Sequence, residues 1–165
     1  MPFPFSIRYT KPLRAVIMPN NQRQVLEYIK KRILADKADN IVMSEESVTY
    51  KGSTSANKRH ALFESVDCGS FTLSNKGNKW CLVYKIKMYK LFIFTSLMAA
   101  FMGLIAQIGN GDWWIGIIMF LWLCGMNWII SIIRHEDVAA RIAIGINELL
   151  GYHTIEDTEG LKSWF

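Results

Sequence analysis

Several groups of side chains in this sequence could do chemistry, and the first along the chain is Gly52–Lys58 (GSTSANK). It resembles a phosphate-binding loop, in which backbone amides cradle the phosphates and a lysine reaches them. The glycine that precedes the lysine in such loops is missing, and no strong strand-then-helix pattern surrounds the segment. We therefore do not expect a nucleotide site here.

The remaining candidates are a nucleophilic set, a metal site and an ion site. His60, Asp67 and Cys68 have the residue types of a nucleophilic set, but they fall at opposite ends of one predicted strand. His60, Cys68 and Cys81 lack the spacing of a zinc site. The segment 135–137 (His-Glu-Asp) could hold an ion weakly, although the charges of a helix start explain it more simply. We expect no enzyme, no catalytic residue, no cofactor and no metal.

The most prominent feature of the sequence is an apolar stretch at 91–133. Its two runs, 91–108 and 113–133, hold 18 and 21 residues, and Asp112 in the break between them is its only charge. A helix of about 20 apolar residues crosses the ~30 Å hydrocarbon core of a bilayer. The pattern predicts a two-pass transmembrane hairpin over 89–133. The alternative is a buried hairpin in a soluble protein, but this short chain has little to cover it.

Small and polar residues within the two runs predict how the helices pack. The expected helix–helix interface comprises Thr95, Ser96, Ala99, Gly103, Gly116 and Asn127. Small side chains let helix backbones approach where lipid offers no hydrophobic drive. We predict a hydrogen bond from Asn127 to Thr95 or Ser96, because they lie at similar depths; Asn127 could instead contact another subunit or line a pathway. Neither run holds an Asp, Glu, Lys, Arg or His, which argues against a transporter or a single-copy selective channel.

Lys and Arg flank the hairpin on one side only, since the break between the runs has neither. The residues expected to anchor the hairpin at the membrane surfaces are Lys85, Lys87, Lys90, Trp113, Trp114 and Arg134. Because Lys and Arg concentrate on the cytoplasmic side, both termini are expected in the cytoplasm. We expect a multi-pass protein of the bacterial inner membrane, with a mitochondrial inner membrane as the alternative.

The rest of the chain predicts a small α+β unit and a C-terminal helix. Residues 1–19 hold all four prolines and predict an extended arm, with a short strand at 13–18. Residues 20–88 predict a cytoplasmic head. Its elements are one helix at 20–38, a hairpin turn at 75–78, a turn at 68–70, and strands at 41–43, 48–51, 61–66, 71–74 and 79–87. Residues 134–165 predict an amphipathic helix, which Asp137 could cap, and an acidic tail. This helix would lie at the inner membrane surface or pack on the head or on another subunit.

The predicted fold is therefore an α+β membrane protein with a helix-plus-antiparallel-sheet head, a transmembrane hairpin and a C-terminal amphipathic helix. The leading interpretation is a non-enzymatic accessory or scaffold subunit that mounts the head on the bilayer and assembles with itself or a larger membrane complex. The alternative is a membrane-disrupting or pore-forming effector with a sensor head. Contact with anionic lipid would use Lys30, Lys31, Lys85 and Lys87. Nucleic acid is not expected, because no aromatic residues interleave with the basic ones.

Overall fold

The computed structural model describes residues 5–36, 38–52, 66–77, 79–109 and 111–152 of the chain. These residues form an α+β fold with one antiparallel five-stranded sheet and three helices, two of them long and apolar. The elements in chain order are β1 (Ser6–Pro12), α1 (Pro19–Ala35), β2 (Asp39–Met43), β3 (Ser47–Lys51), β4 (Cys68–Lys76), β5 (Lys79–Lys87), α2 (Tyr89–Ile108) and α3 (Trp114–Leu149).

The strand order in the sheet is β1-β5-β4-β3-β2, and every neighbouring pair is antiparallel. β2 to β5 therefore follow one another in space as in the chain, whereas β1 pairs with β5 at the far edge. The hairpin predicted around 75–78 is present between β4 and β5, but its turn is shorter, because Asn75 and Lys76 still pair with Trp80 and Lys79. Gly77 in this turn has a φ of +56°, a conformation that glycine adopts without the strain of a side chain.

Two local predictions in the sheet were wrong. The first strand is Ser6–Pro12 rather than 13–18, because only the earlier segment finds a partner, β5; Pro12 is tolerated at the end of this edge strand. Residues 68–70 are not a turn but the start of β4, where they pair with β3 and β5. The strand predicted at 61–66 lies almost wholly outside the described residues.

The sequence predicts an apolar stripe on α1 of Val25, Leu26, Ile29, Ile33 and Leu34. The first four are buried, whereas Leu34 is 62% exposed. Its N-terminus is capped from inside the helix: the side chain of Asn21 accepts a hydrogen bond from the Met18 backbone at 2.8 Å. One face of the sheet packs against α1 and the C-terminal part of α3. We call β1–β5, α1 and residues 134–149 of α3 the globular domain, since they share one hydrophobic core.

Helix α3 differs from the prediction of a separate amphipathic helix after the second apolar run. It is one helix of 36 residues, about 54 Å long, interrupted only by a π-helical turn at Leu121–Gly125. Asp137 lies in the helix interior, where it pairs with Arg141 at 2.5 Å, rather than at a cap. The chain continues as helix here because 126–144 contains neither proline nor glycine. Gly151, with a φ of +83°, follows the helix end.

Candidate functional site at the junction of helices and sheet

The two apolar helices meet the globular domain at neighbouring points, and α2 joins it through Asp67. The Asp67 carboxylate accepts hydrogen bonds from the backbone N–H groups of Tyr89 and, at 3.1 Å, Lys90. It also lies 3.7 Å from the Lys90 ammonium. A carboxylate here satisfies amides that have no partner inside the helix and complements the helix dipole. Met88 is fully buried and its N–H donates to Phe5 O at 3.0 Å, so the start of α2 is held to the sheet.

Helix α3 joins the globular domain through a long buried face. Val138, Ala139, Ile142 and Ile146 on this face are at most 3% exposed and belong to the shared core. Gly145 allows α1 to approach, because the Tyr28 ring occupies the space that a Cβ would need. The periodicity predicted for this segment is therefore correct. Of the three partners that the sequence allowed, the structure shows the head: this face packs on the sheet and α1.

A chain of buried polar groups ties the same helix to the sheet. The Tyr50 and Tyr84 hydroxyl groups lie 2.5 Å apart, and the Tyr84 hydroxyl lies 3.0 Å from His135 Nδ1. Phe71 stacks on Tyr84 with ring centroids 4.0 Å apart. The Tyr9 hydroxyl donates to the carbonyl of Ile132 at 3.0 Å, close to where the apolar run of α3 ends.

Burial keeps these polar side chains electrically neutral. It raises the pKa values of Tyr50 and Tyr84 well above the usual tyrosine value, and that of Tyr9 to about 12 with a contribution from nearby Glu136. Burial, with the neighbouring Arg134 charge, lowers the pKa of His135 to about 4. These side chains are buried, so a substrate in solvent could not reach them. Their arrangement is suited to holding α3 in register on the sheet.

The segment that follows β1 is also fastened to α3. The buried Asn147 side chain accepts hydrogen bonds from the backbone N–H groups of Arg14 at 2.9 Å and Ala15 at 3.2 Å. Lys11 and Glu136 form an ion pair at 3.0 Å. Residues 13–18 thus pack beside α3 in place of forming the predicted strand.

The roles of Asp67, His135 and Asn147 at this junction were not predicted from the sequence. His135 and Asn147 fall on the helical repeat of the buried apolar residues of α3. A polar residue on such a stripe indicates a buried hydrogen bond, so this pattern could have predicted their role. No sequence pattern marks Asp67 as a cap for a helix that begins 22 residues later.

Within the hairpin, the structure brings together three of the predicted interface residues: Ala99, Gly103 and Gly116. A Cβ added to Gly116 would lie 3.1 Å from both the Gly103 Cα and the Ala99 carbonyl oxygen. The two backbones are therefore in van der Waals contact at this point. A cleft of about 440 Å³ opens beside the contact, with Gln107 and Phe120 among its lining residues.

The predicted hydrogen bond between the two helices is not formed. Asn127 is exposed, and its amide donates to Leu123 O of its own helix at 2.6 Å. Thr95 is buried, and its hydroxyl donates to Leu91 O at 2.8 Å; Ser96 is exposed. Hydroxyl and amide groups in a helix can bond to the carbonyl four residues earlier. Thr95 and Asn127 form this local bond instead of a bond between the two helices.

The predicted surface anchors lie at opposite ends of the hairpin. Lys85 and Lys87 are exposed on β5, and Lys90 and Arg134 are exposed on the first turn of α2 and beyond the apolar run of α3. Trp113 and Trp114, 66% and 48% exposed, lie at the other end.

The described residues of the chemical candidates lie on different elements or take structural roles. Cys68 and Cys81 lie on β4 and β5, Asp67 caps α2 and His135 is buried, whereas His60 lies outside the described residues. Within the described part of the chain, no group of three or more His, Cys, Asp or Glu side chains could hold a metal ion.

The chain was compared with known proteins at three levels. It matches no protein-family model, no curated protein and no solved structure.

Proposed function

We propose that this protein is a non-enzymatic membrane subunit whose apolar hairpin crosses the bilayer and mounts the globular domain on its surface. The observation that carries the proposal is the continuity of α3. Residues 114–133 present exposed large apolar side chains, and the same helix then buries a face in the core of the globular domain. An apolar surface of this size needs an apolar environment, and the unbroken helix transmits its orientation to the sheet.

The distribution of charged and aromatic residues supports an orientation with the globular domain in the cytoplasm. Lys85, Lys87, Lys90 and Arg134 surround the junction, whereas the far end of the hairpin carries the tryptophans and Asp112. Lys and Arg are retained on the cytoplasmic side of membranes. We place both termini in the cytoplasm and the protein in a bacterial inner membrane.

An exposed amide on the hairpin supports assembly with another membrane helix. Asn127 lies among exposed apolar residues such as Met126, Ile129 and Ile130, and in the described part of the chain its amide oxygen has no hydrogen-bond partner. An unpaired amide oxygen in hydrocarbon costs about 4 kcal/mol. A helix of a second copy, or of a larger membrane complex, would satisfy it.

The proposal is tested by extracting tagged full-length protein from native membranes in mild detergent and weighing the complexes by mass spectrometry. We expect recovery in a fixed stoichiometry with itself or another membrane protein. Asn127→Leu should reduce this recovery, and Ile129→Leu is the matched control on the same helix. Recovery only as a monomer would overturn the assembly. Depolarisation of cells on expression, lost in Asn127→Leu, would favour the alternative of a membrane-disrupting effector.

Orientation is tested separately with the exposed Asp112 replaced by cysteine. A membrane-impermeant maleimide added to intact cells should label Asp112→Cys and leave the native chain unlabelled. Labelling only after the cells are opened would reverse the proposed topology.

A further inference from the structure

The sheet has a second face, turned away from α1 and α3, and its side chains follow from the strand register. Beside Lys85 on β5 lie Arg8 on β1 and Ser70 on β4. Beside Lys87 lie Ser6 and Cys68 in the same way, and Lys51 of β3 continues that row. We call these two rows the basic rows; their members are Ser6, Arg8, Thr49, Lys51, Cys68, Ser70, Lys85 and Lys87.

Three cations of the basic rows, Arg8, Lys85 and Lys87, lie close together. Neighbouring strands lie about 4.8 Å apart and residues two apart on a strand about 7 Å, so Arg8, Lys85 and Lys87 fall within one Debye length of each other. All three are exposed, and in the described part of the chain none makes an ion pair.

Two acidic side chains beside the basic rows, in the part of the chain that the structure describes, interact with other groups. Asp67 is taken up by the N-terminus of α2 and by Lys90. Asp39 lies opposite Lys51 at the edge of the sheet and already interacts within the protein. The net charge of the basic rows therefore remains positive, with its strongest part on β1 and β5.

The basic rows also lie at the end of the sheet from which the hairpin leaves. Lys87 is the last residue of β5, and α2 begins at Tyr89. If α2 enters the bilayer at Tyr89, Lys87 lies within about two residues of chain, or roughly 7 Å, of that point. Lys85 and Arg8 lie one row farther from it. Arginine binds phosphate oxygens through paired N–H groups, lysine supplies further charge, and the hydroxyl groups of Ser6 and Ser70 are available as donors.

We infer that the basic rows bind the phosphate groups of anionic phospholipids and so fix the tilt of the globular domain on the membrane. This inference rests on the proposed insertion of the hairpin. Lys30 and Lys31, which the sequence also offered for lipid contact, lie on α1, which packs against the opposite face of the sheet. They are not part of this site.

The test reconstitutes the full-length protein in nanodiscs of mixed phosphatidylcholine and phosphatidylglycerol and measures which lipids it retains after detergent extraction. We expect the native chain to enrich phosphatidylglycerol, less so as salt rises. Arg8→Gln/Lys85→Gln/Lys87→Gln should abolish the enrichment, since each cation near a membrane surface contributes roughly fivefold and the three together contribute about a hundredfold. The matched control, Lys30→Gln/Lys31→Gln/Arg32→Gln, removes the same charge from exposed residues of α1 and should retain it.

Equal enrichment by the native chain and the basic-row variant would overturn the inference, as would an equal loss in the control. Displacement of phosphatidylglycerol by a single-stranded oligonucleotide at the same salt would assign the rows to nucleic acid instead. If the triple variant fails to fold, Lys87→Glu alone should still abolish enrichment. Extraction of the protein by alkaline carbonate would instead refute membrane insertion, so the two failures are distinguishable.

Discussion

The two apolar helices join the globular domain in different ways. α2 begins two residues after the end of β5, and its joint is a polar corner in which Asp67 binds two backbone amides and Lys90. α3 crosses the junction without a break and carries His135, Asn147 and an apolar face into the core. The comparison indicates that α3 sets the orientation of the hairpin, whereas α2 is held at its first turn.

The largest loss of stability is expected from His135→Ala in the α3 joint. It removes a side chain that is 1% exposed and deprives the Tyr84 hydroxyl of a buried partner. We expect the free energy of unfolding to fall by about 3 kcal/mol or more. Denaturant unfolding in detergent, followed by circular dichroism, measures this. Glu136→Gln, at the exposed neighbouring position, should cost less than about 1 kcal/mol. An equal loss of stability in the two variants would show that His135 contributes no more than its exposed neighbour.

Acid should weaken the α3 joint selectively. The pKa of His135 is about 4 in the folded protein against about 6.5 when unfolded. The unfolded chain therefore takes up a proton first, and stability that is complete above pH 6.5 is lost as the pH falls towards 4. The loss should reach roughly 2 kcal/mol by pH 5. In His135→Gln, unfolding measured at pH 7 and pH 5 should lack this difference; an unchanged pH dependence would contradict the assignment.

The α2 joint should be weaker and more local. Asp67→Ala removes the cap of α2, and we expect a loss of about 1–2 kcal/mol. Hydrogen exchange should accelerate at the amides of Tyr89 and Lys90 and remain unchanged in α3. Asp67→Asn, which keeps an acceptor oxygen but loses the charge, should give a smaller effect. Faster exchange throughout α3 would show that the two joints are not separate.

The smallest effect should come from the far end of the buried polar chain. Tyr50→Phe keeps the ring that packs on Phe71 and removes only the hydroxyl that meets Tyr84. We expect a loss of about 1 kcal/mol. A loss as large as that of His135→Ala would mean that Tyr50 and His135 act as one cooperative unit, which a double-variant cycle would measure.

Much of the fold could be predicted because local patterns carry it. The stripe of Val25, Ile29 and Ile33 defines α1, the alternation along β5 defines its buried face, and the two apolar runs appear as long helices. The contact of Gly103 with Gly116 lies between residues that the sequence singled out for their size. The bond predicted for Asn127 was wrong, because depth along two helices does not specify which way a side chain turns.

By itself the sequence determined which segments are apolar, which alternate, and where Lys and Arg lie relative to the hairpin, since these depend on residues near one another in the chain. The tertiary structure alone shows that His135 of α3 meets Tyr84 of β5, that Asp67 caps α2, and that Arg8 lies beside Lys85. Those contacts join residues far apart in the chain, and pairing between distant segments depends on the packing of the whole core rather than on any local pattern.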